Sequence, residues 1–263
     1  MASRQEADNI FYWPDLRALE AYTSRMDMPH FDSGALPVRP VRRGNAFEET
    51  VERVLENLKL GIYAAGSRLP PERELASQLG VSRATLREAL AELQAAGYLE
   101  SRRGRYGGTF AAEVLPGPSD PAGTGNVSDL EDVLLFRRVV ESAAARLAAE
   151  ATLTPAARGH LLAALEEVDR AATDTFRPKD ARFHIAVAEL SGSARLVAAV
   201  AEVRAQASDL LDRIPLLQAN LDHSQAQHRE LVDAVLRGDA DAAEAAAVAH
   251  LEGTERLLRG FLA

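Results

Sequence analysis

The chain has 263 residues, 47% hydrophobic and 26% charged, which is enough for two domains of ordinary size and excludes a fibrous, collagen-like or wholly disordered protein. It has no cysteine, so disulfides, Cys-based zinc fingers, iron-sulfur clusters and thiol nucleophiles are excluded, and a metal would have to be held by His and carboxylate. The net charge of -9 argues against nucleic acid only if that charge is spread evenly along the chain.

The opening residues MASRQEADNI lack the basic start and apolar run of a signal peptide, and no stretch is long and apolar enough for a membrane helix, so the expectation is a cytoplasmic protein without a membrane partner. Residues 1–45 carry the aromatic trio Phe11-Tyr12-Trp13 and scattered prolines without sustained periodicity, and read as an N-terminal extension, flexible or loosely docked. From Phe47 an amphipathic helix begins, with Phe47, Val51, Val54, Leu55 and Leu58 on one stripe. Helical periodicity resumes at Pro71 and runs to about Ala96, broken at Gly80-Val81. Two strand-like pieces, Tyr98–Ser101 and Thr109–Ala111, flank a turn rich in Arg and Gly. The Gly- and Pro-rich segment from Pro116 to Gly125 is a linker.

Beyond the linker only helices are predicted: Leu130 to about Ala151, a second opened by Thr154-Pro155, a third opened by Arg177-Pro178, Ala194 to Leu211, Leu221 to Leu236, and a last one to about Gly260. The expected organisation is an extension over 1–45, a small domain over 46–113, a linker over 114–127 and an all-helical bundle over 128–263. Charge follows these divisions. Residues 39–110 hold 12 Arg and Lys against 9 Glu, a net of +3, whereas residues 111–263 hold 15 against 24, a net of -9. A basic small domain joined to an acidic large one is the asymmetry of a nucleic-acid reader coupled to another function.

The run from Leu75 to Leu86 has the grammar of a helix-turn-helix. Ala76 is small where two helices approach, Gly80 supplies the turn, Leu79, Val81 and Leu86 fill the wedge, and Ser82 caps the second helix. Arg83, Thr85 and Arg87 then occupy the first turns of a recognition helix, where side chains reach base edges and phosphates. Arg102-Arg103-Gly104-Arg105-Tyr106-Gly107-Gly108 fits the tip of a wing. The alternative is an ordinary helical hairpin with solvated arginines.

From Gly66 through Leu90 and on to Phe110 the chain resembles the GntR family of bacterial transcription regulators, on the segment Pro70-Pro-Glu-Arg-Glu-Leu75 and the helix-turn-helix after it. The resemblance implies DNA contacts from Arg73, Ser82, Arg83, Thr85, Arg87 and Gly104, and a homodimer on an inverted-repeat operator in double-stranded DNA. The implied fold class is mainly α: a winged helix-turn-helix with a small β-hairpin wing, then an all-α bundle.

In the acidic domain Asp180 and His184 are four residues apart and share a helix face. His228 and His250 lie in later helices among Ala, Leu and Val, where an unsatisfied imidazole is costly. Each histidine alone reads as a hydrogen-bonded or partly exposed residue; together with Asp180 they could converge on one divalent metal. These four positions are similar to the FCD effector domain of the FadR-type subgroup over roughly Leu130 to Leu258, which implies a divalent metal site for zinc, with nickel or manganese as alternatives. One departure is Ser191-Gly192-Ser193, where the family often has Ser-Gly-Asn.

The resemblance also implies a small organic acid as effector. Arg138, in Arg138-Val-Val-Glu141, is the candidate carboxylate anchor; the alternative is a surface pair with Glu141 or Glu131. His223 is expected to be solvated, and His30 and His160 have no partner pattern. The expected protein is a ligand-responsive transcription regulator and not an enzyme. Its rivals are a metalloenzyme with an appended DNA-binding domain, which the absence of an HExxH-like base disfavours, and a pure metal sensor.

Overall fold

The computed structural model describes residues 45–104, 107–116 and 127–263; the extension before Asn45, Arg105 of the wing and most of the linker lie outside the described residues. All described residues fall within one unit, Val38–Ala263. The first helix, α1 (Ala46–Lys59), buries the stripe Phe47, Val51, Val54, Leu55 and Leu58. Helices α2 (Glu72–Leu79) and α3 (Arg83–Ala95) form the helix-turn-helix. Gly80 turns the chain with φ of 71°, a conformation a side chain would strain. Ser82 then starts α3, its Oγ accepting from the Thr85 backbone N–H at 3.0 Å. Leu75, Leu79 and Leu86 fill the wedge between the two helices.

The wing is an antiparallel pair, β1 (Leu99–Arg102) and β2 (Gly108–Ala111), with Leu99 opposite Ala111 and Arg102 opposite Gly108. The first strand starts one residue later than periodicity suggests because the Tyr98 N–H turns back to the Leu93 carbonyl at 2.9 Å, closing α3. The segment before α2 lines the other edge of β2, with Leu69 N–H donating to Thr109 O and Ala111 N–H to Ser67 O, both at 2.9 Å.

Six helices follow: α4 (Val127–Glu150), α5 (Pro155–Asp169), α6 (Phe176–Leu190), α7 (Ala194–Leu211), α8 (Gln218–Arg237) and α9 (Ala240–Leu262). Thr154 caps α5, accepting from Ala157 N–H, with Pro155 in the first position. Helix α6 opens one residue before Arg177, after a single 3-10 turn at Thr173–Thr175, and Pro178 sits in the first turn, where no helical N–H bond is lost. No helix among the described residues is long and apolar enough to cross a membrane.

The bundle places α5, α6, α8 and α9 around a core of Leu161, Phe183, Val187, Leu231, Val235 and Ala247. The winged domain has no separate core. Its leucines pack in one cluster with Ile214, Leu217, Leu257, Leu258 and Phe261 of the helical domain, and Tyr98 meets Phe261 edge to face at 5.5 Å. At roughly 1.5–3 kcal/mol for each fully buried Leu, Ile or Phe, this junction is a substantial part of the winged domain's stability. It depends on small residues in α9, since a Cβ at Gly260 would lie 3.0 Å from the Glu52 Cα of α1.

Candidate metal centre and nucleic-acid interface

Helix α6 sets Asp180 and His184 one turn apart on its inner face, α8 brings His228 and α9 brings His250. All four are buried, and one ligand atom from each lies within 4.8 Å of the others. The Nε2 atoms of His184 and His250 face each other at 3.2 Å. His228 Nε2 is 3.2 Å and His184 Nε2 is 3.8 Å from Asp180 Oδ1. His228 is fully buried against the Phe183 ring; its Nδ1 has no hydrogen-bond partner, and its Nε2 faces the Asp180 carboxylate. Orphaned polar atoms are costly in such a place, and a cation among three imidazoles and one carboxylate would satisfy them. The N3O donor set fits a borderline divalent metal.

Electrostatics keep these donors ready. Burial, reinforced by the Arg204 charge, pushes His184 down to about 4, and burial with the neighbouring imidazoles holds His250 well below its usual range. Both rings are therefore neutral at physiological pH, as ligands must be. Burial would raise the carboxyl of Asp180, but the Arg204 guanidinium overrides it and holds the group ionised; Arg204 hydrogen-bonds Asp180 Oδ2, leaving Oδ1 toward the imidazoles. Glu141 is likewise held low against burial by Arg137 and Arg204, and its Oε2 lies 2.8 Å from His184 Nδ1. Two carboxylates, Asp180 and Glu141, thus balance two guanidiniums, Arg137 and Arg204.

A cavity of about 40 Å³ opens beside the cluster, with Arg137, Arg177, Asp180, Asn220, Ser224, His250 and Thr254 as its polar lining and Phe176, Leu221 and Leu257 among its apolar walls. Arg137 Nε donates to Glu141 Oε1 at 2.9 Å, while its buried Nη1 has no partner. Arg138 does not face this cavity. It is half-exposed, with Nε and Nη2 bonded to Glu255. Successive helical residues are about 100° apart, so of the two adjacent arginines Arg137 lines the cavity while Arg138 pairs with Glu255. His223 lies outside the cluster and is partly exposed; its Nδ1 is 3.2 Å from Glu48 Oε1 and its ring stacks edge-on against Phe47, which joins the two domains. His160 lies 2.7 Å from Glu189 at the surface.

Arg204, Arg137 and Glu141 were absent from the sequence-derived site. Arg204 had a detectable signal, because it interrupts the buried stripe Val200, Val203, Ala207 of α7. No comparable signal distinguishes Arg137 from Arg138.

On the winged domain, Arg73, Ser82, Arg83, Arg87 and Gly104 are exposed and Thr85 is partly so. Arg73 and Arg83 have no ion-pair partner among the described residues. Arg87 Nε is held at 2.5 Å by Glu72 Oε2, and the Thr85 hydroxyl is 2.8 Å from that of Ser82. In the wing, Arg102 lies over Phe110 at 4.3 Å and Arg103 is exposed.

Residues 47–110 match the gntR family of bacterial regulatory proteins, and residues 132–253 match the FCD domain. The putative HTH-type transcriptional regulator RmpR of Mycobacterium gastri is 34% identical over 76% of this chain and 76% of its own length. The putative L-lactate dehydrogenase operon regulatory protein of Escherichia coli K12 is 31% identical over 81% of this chain and 86% of its own. Among solved structures, Streptococcus agalactiae GntR is 26% identical, covers 80% of this chain and 99% of its own, and superposes with a TM-score of 0.44.

Proposed function

The chain belongs to the gntR family of bacterial regulatory proteins and carries an FCD domain; from that premise, we propose that this DNA-binding transcription regulator senses a small organic acid at a divalent metal in its helical domain. The observation that carries the proposal is the buried Asp180, His184, His228, His250 set beside a cavity lined by Arg137, whose buried Nη1 has no hydrogen-bond partner. Those four residues would hold the ion, with zinc as the first candidate and nickel or manganese as alternatives. The ion would supply a Lewis-acid anchor for a carboxylate.

Charge balance supports an anionic ligand. The two carboxylates and two guanidiniums around the cluster already cancel, so a divalent ion brings an uncompensated +2 into a buried site. A small organic anion offsets part of it, with the Arg137 fork directed at the carboxylate and Asn220, Ser224 and Thr254 available to its other oxygens. The relative named for an L-lactate dehydrogenase operon is consistent with an acid of that size.

DNA reading falls to Ser82, Arg83, Thr85 and Arg87 at the start of α3, with Arg73 and Gly104 against the phosphates. Leu135, Phe136 and Val139 form an exposed apolar stripe on α4, which a second copy would cover in a homodimer whose two-fold axis matches an inverted-repeat operator. As a DNA reader the protein works in the cytoplasm. Effector occupancy shifts the dimer between arrangements that fit the operator unequally.

The test is elemental analysis of the purified full chain, with mass spectrometry of any small molecule released on denaturation. The expected result is about one divalent metal per chain with an organic acid, and loss of the metal in His228→Ala. A full metal complement in that variant would remove His228 from the site.

A further inference from the structure

A chain of side-chain hydrogen bonds runs from the candidate metal ligand His250 to the winged domain. His250 Nδ1 is 3.3 Å from Gln227 Oε1, Gln227 Nε2 donates to Asn45 Oδ1 at 2.8 Å, and Asn45 Nδ2 donates to the Ala249 carbonyl at 2.7 Å. Asn45 is the residue from which α1 starts, its own carbonyl accepting from Glu49 N–H. It is buried in a recess that α9 leaves at Gly253, where a Cβ would come within 3.3 Å of Asn45 Oδ1.

The direction of this chain follows from its far end. A backbone carbonyl only accepts, so Asn45 must turn its amide N–H toward Ala249 and its oxygen toward Gln227. Gln227 must then donate to Asn45 and turn its own oxygen toward His250. His250 must in turn carry its proton on Nδ1, which in a neutral imidazole leaves the lone pair on Nε2, the atom facing the cluster. The Glu141 carboxylate, with Oε2 2.8 Å from His184 Nδ1, favours the proton on that nitrogen in the same way. Two Nε2 lone pairs then face each other across 3.2 Å, an arrangement that repels unless a cation lies between them.

We infer that Gln227 and Asn45 are positioning residues that hold His250 in its metal-binding tautomer, so that docking of the DNA-binding domain and occupancy of the metal centre favour one another. The inference rests on the metal reading above. Without the ion, the Nε2 pair is relieved when His250 moves its proton to Nε2 and donates to His184. Its Nδ1 then accepts, Gln227 must reverse its amide, and Asn45 must either face an oxygen with an oxygen or give up Ala249. The winged domain thereby loses a buried contact at the start of α1. By linkage, whatever weakens that contact weakens metal binding by the same factor.

The test is Zn2+ affinity of the full chain by chelator competition, for wild type, Gln227→Met, Gln227→Glu and Asn45→Ala, each checked for native circular dichroism. Wild-type binding tests the metal reading itself, and the variants test the relay. Gln227→Met, of similar size but without the acceptor, should lose about tenfold or more. Gln227→Glu should bind more tightly than Gln227→Met, because its carboxylate still accepts from His250 Nδ1–H, yet fall short of wild type by about the loss seen in Asn45→Ala, because it no longer donates to Asn45 Oδ1. Asn45→Ala, in the other domain and touching no ligand, should lose several-fold. A Gln227→Met affinity equal to wild type overturns the tautomer argument. Wild-type affinity in Asn45→Ala, with weakened binding in Gln227→Met, overturns the link to the winged domain.

Discussion

Replacing Arg204 by Met separates the charge balance of the cluster from its packing. Arg204 is 2% exposed, bonds Asp180 Oδ2 and sits 3.7 Å from Glu141 Oε2. Methionine fills much of the same space but leaves two buried carboxylates facing Arg137 alone. Breaking a buried pair by removing one partner costs about 3–5 kcal/mol. In a chain of this size each kcal/mol moves the melting temperature by about 2–4 °C, so a metal-free fall on the order of 10 °C is expected. A divalent ion restores positive charge beside Asp180, so saturating Zn2+ should stabilise the variant more than it stabilises wild type. Differential scanning fluorimetry in EDTA and in Zn2+ measures both quantities. The reasoning is refuted if the metal-free variant melts within about 2 °C of wild type, or if Zn2+ adds less stability to it than to wild type.

Three further outcomes follow from the geometry. Arg83→Ala removes an exposed side chain, so stability should change by no more than about 0.5 kcal/mol while operator affinity falls by about 1–3 kcal/mol in an anisotropy titration; unchanged affinity removes Arg83 from the reading surface. Arg137→Lys keeps a positive charge near Glu141 but loses the planar fork, so calorimetry should show weaker acid binding by roughly 1.5–3 kcal/mol with metal content intact; equal acid affinity would move the anchor elsewhere. The Glu48 carboxylate raises His223 above its usual value despite partial burial, with Glu88 and Asp222 adding to the effect. A raised histidine contributes stability that is complete below about pH 6.5 and lost as pH rises through the elevated folded value. Hydrogen exchange in α1 should therefore accelerate on the alkaline side once corrected for intrinsic rates, and His223→Gln should remove that pH dependence.

The parts of the protein that were legible from sequence are those set by local chemistry. Gly80 and Ser82 mark a turn and a cap within three residues of each other, and the stripe Phe47 to Leu58 repeats at helical spacing, so both appear without knowledge of the tertiary fold. The metal candidates stand out because histidine is rare here, with six in 263 residues, and because Asp180 and His184 share a face. Arginine is the opposite case, as it supplies nearly all the positive charge. Which arginine turns inward depends on the rotational phase of α4, and an error of one residue exchanges Arg137 for Arg138. Arg204 finds its partners Asp180 and Glu141 on other helices, and Glu141 meets His184 across helices, so neither of those pairings has a local signature. The junction was hidden for the same reason. Phe261 and Tyr98 read as the ends of two separate domains until packing joins them in one core.

The central claim is that acid binding at the metal centre changes DNA binding. Fluorescence anisotropy of a labelled operator duplex, titrated with metal-loaded protein with and without the copurifying acid, tests it directly. The predicted result is a change in operator affinity of about five- to 150-fold, absent in His228→Ala. An acid that binds the wild-type protein yet leaves operator affinity unchanged, or that acts equally on His228→Ala, would contradict it.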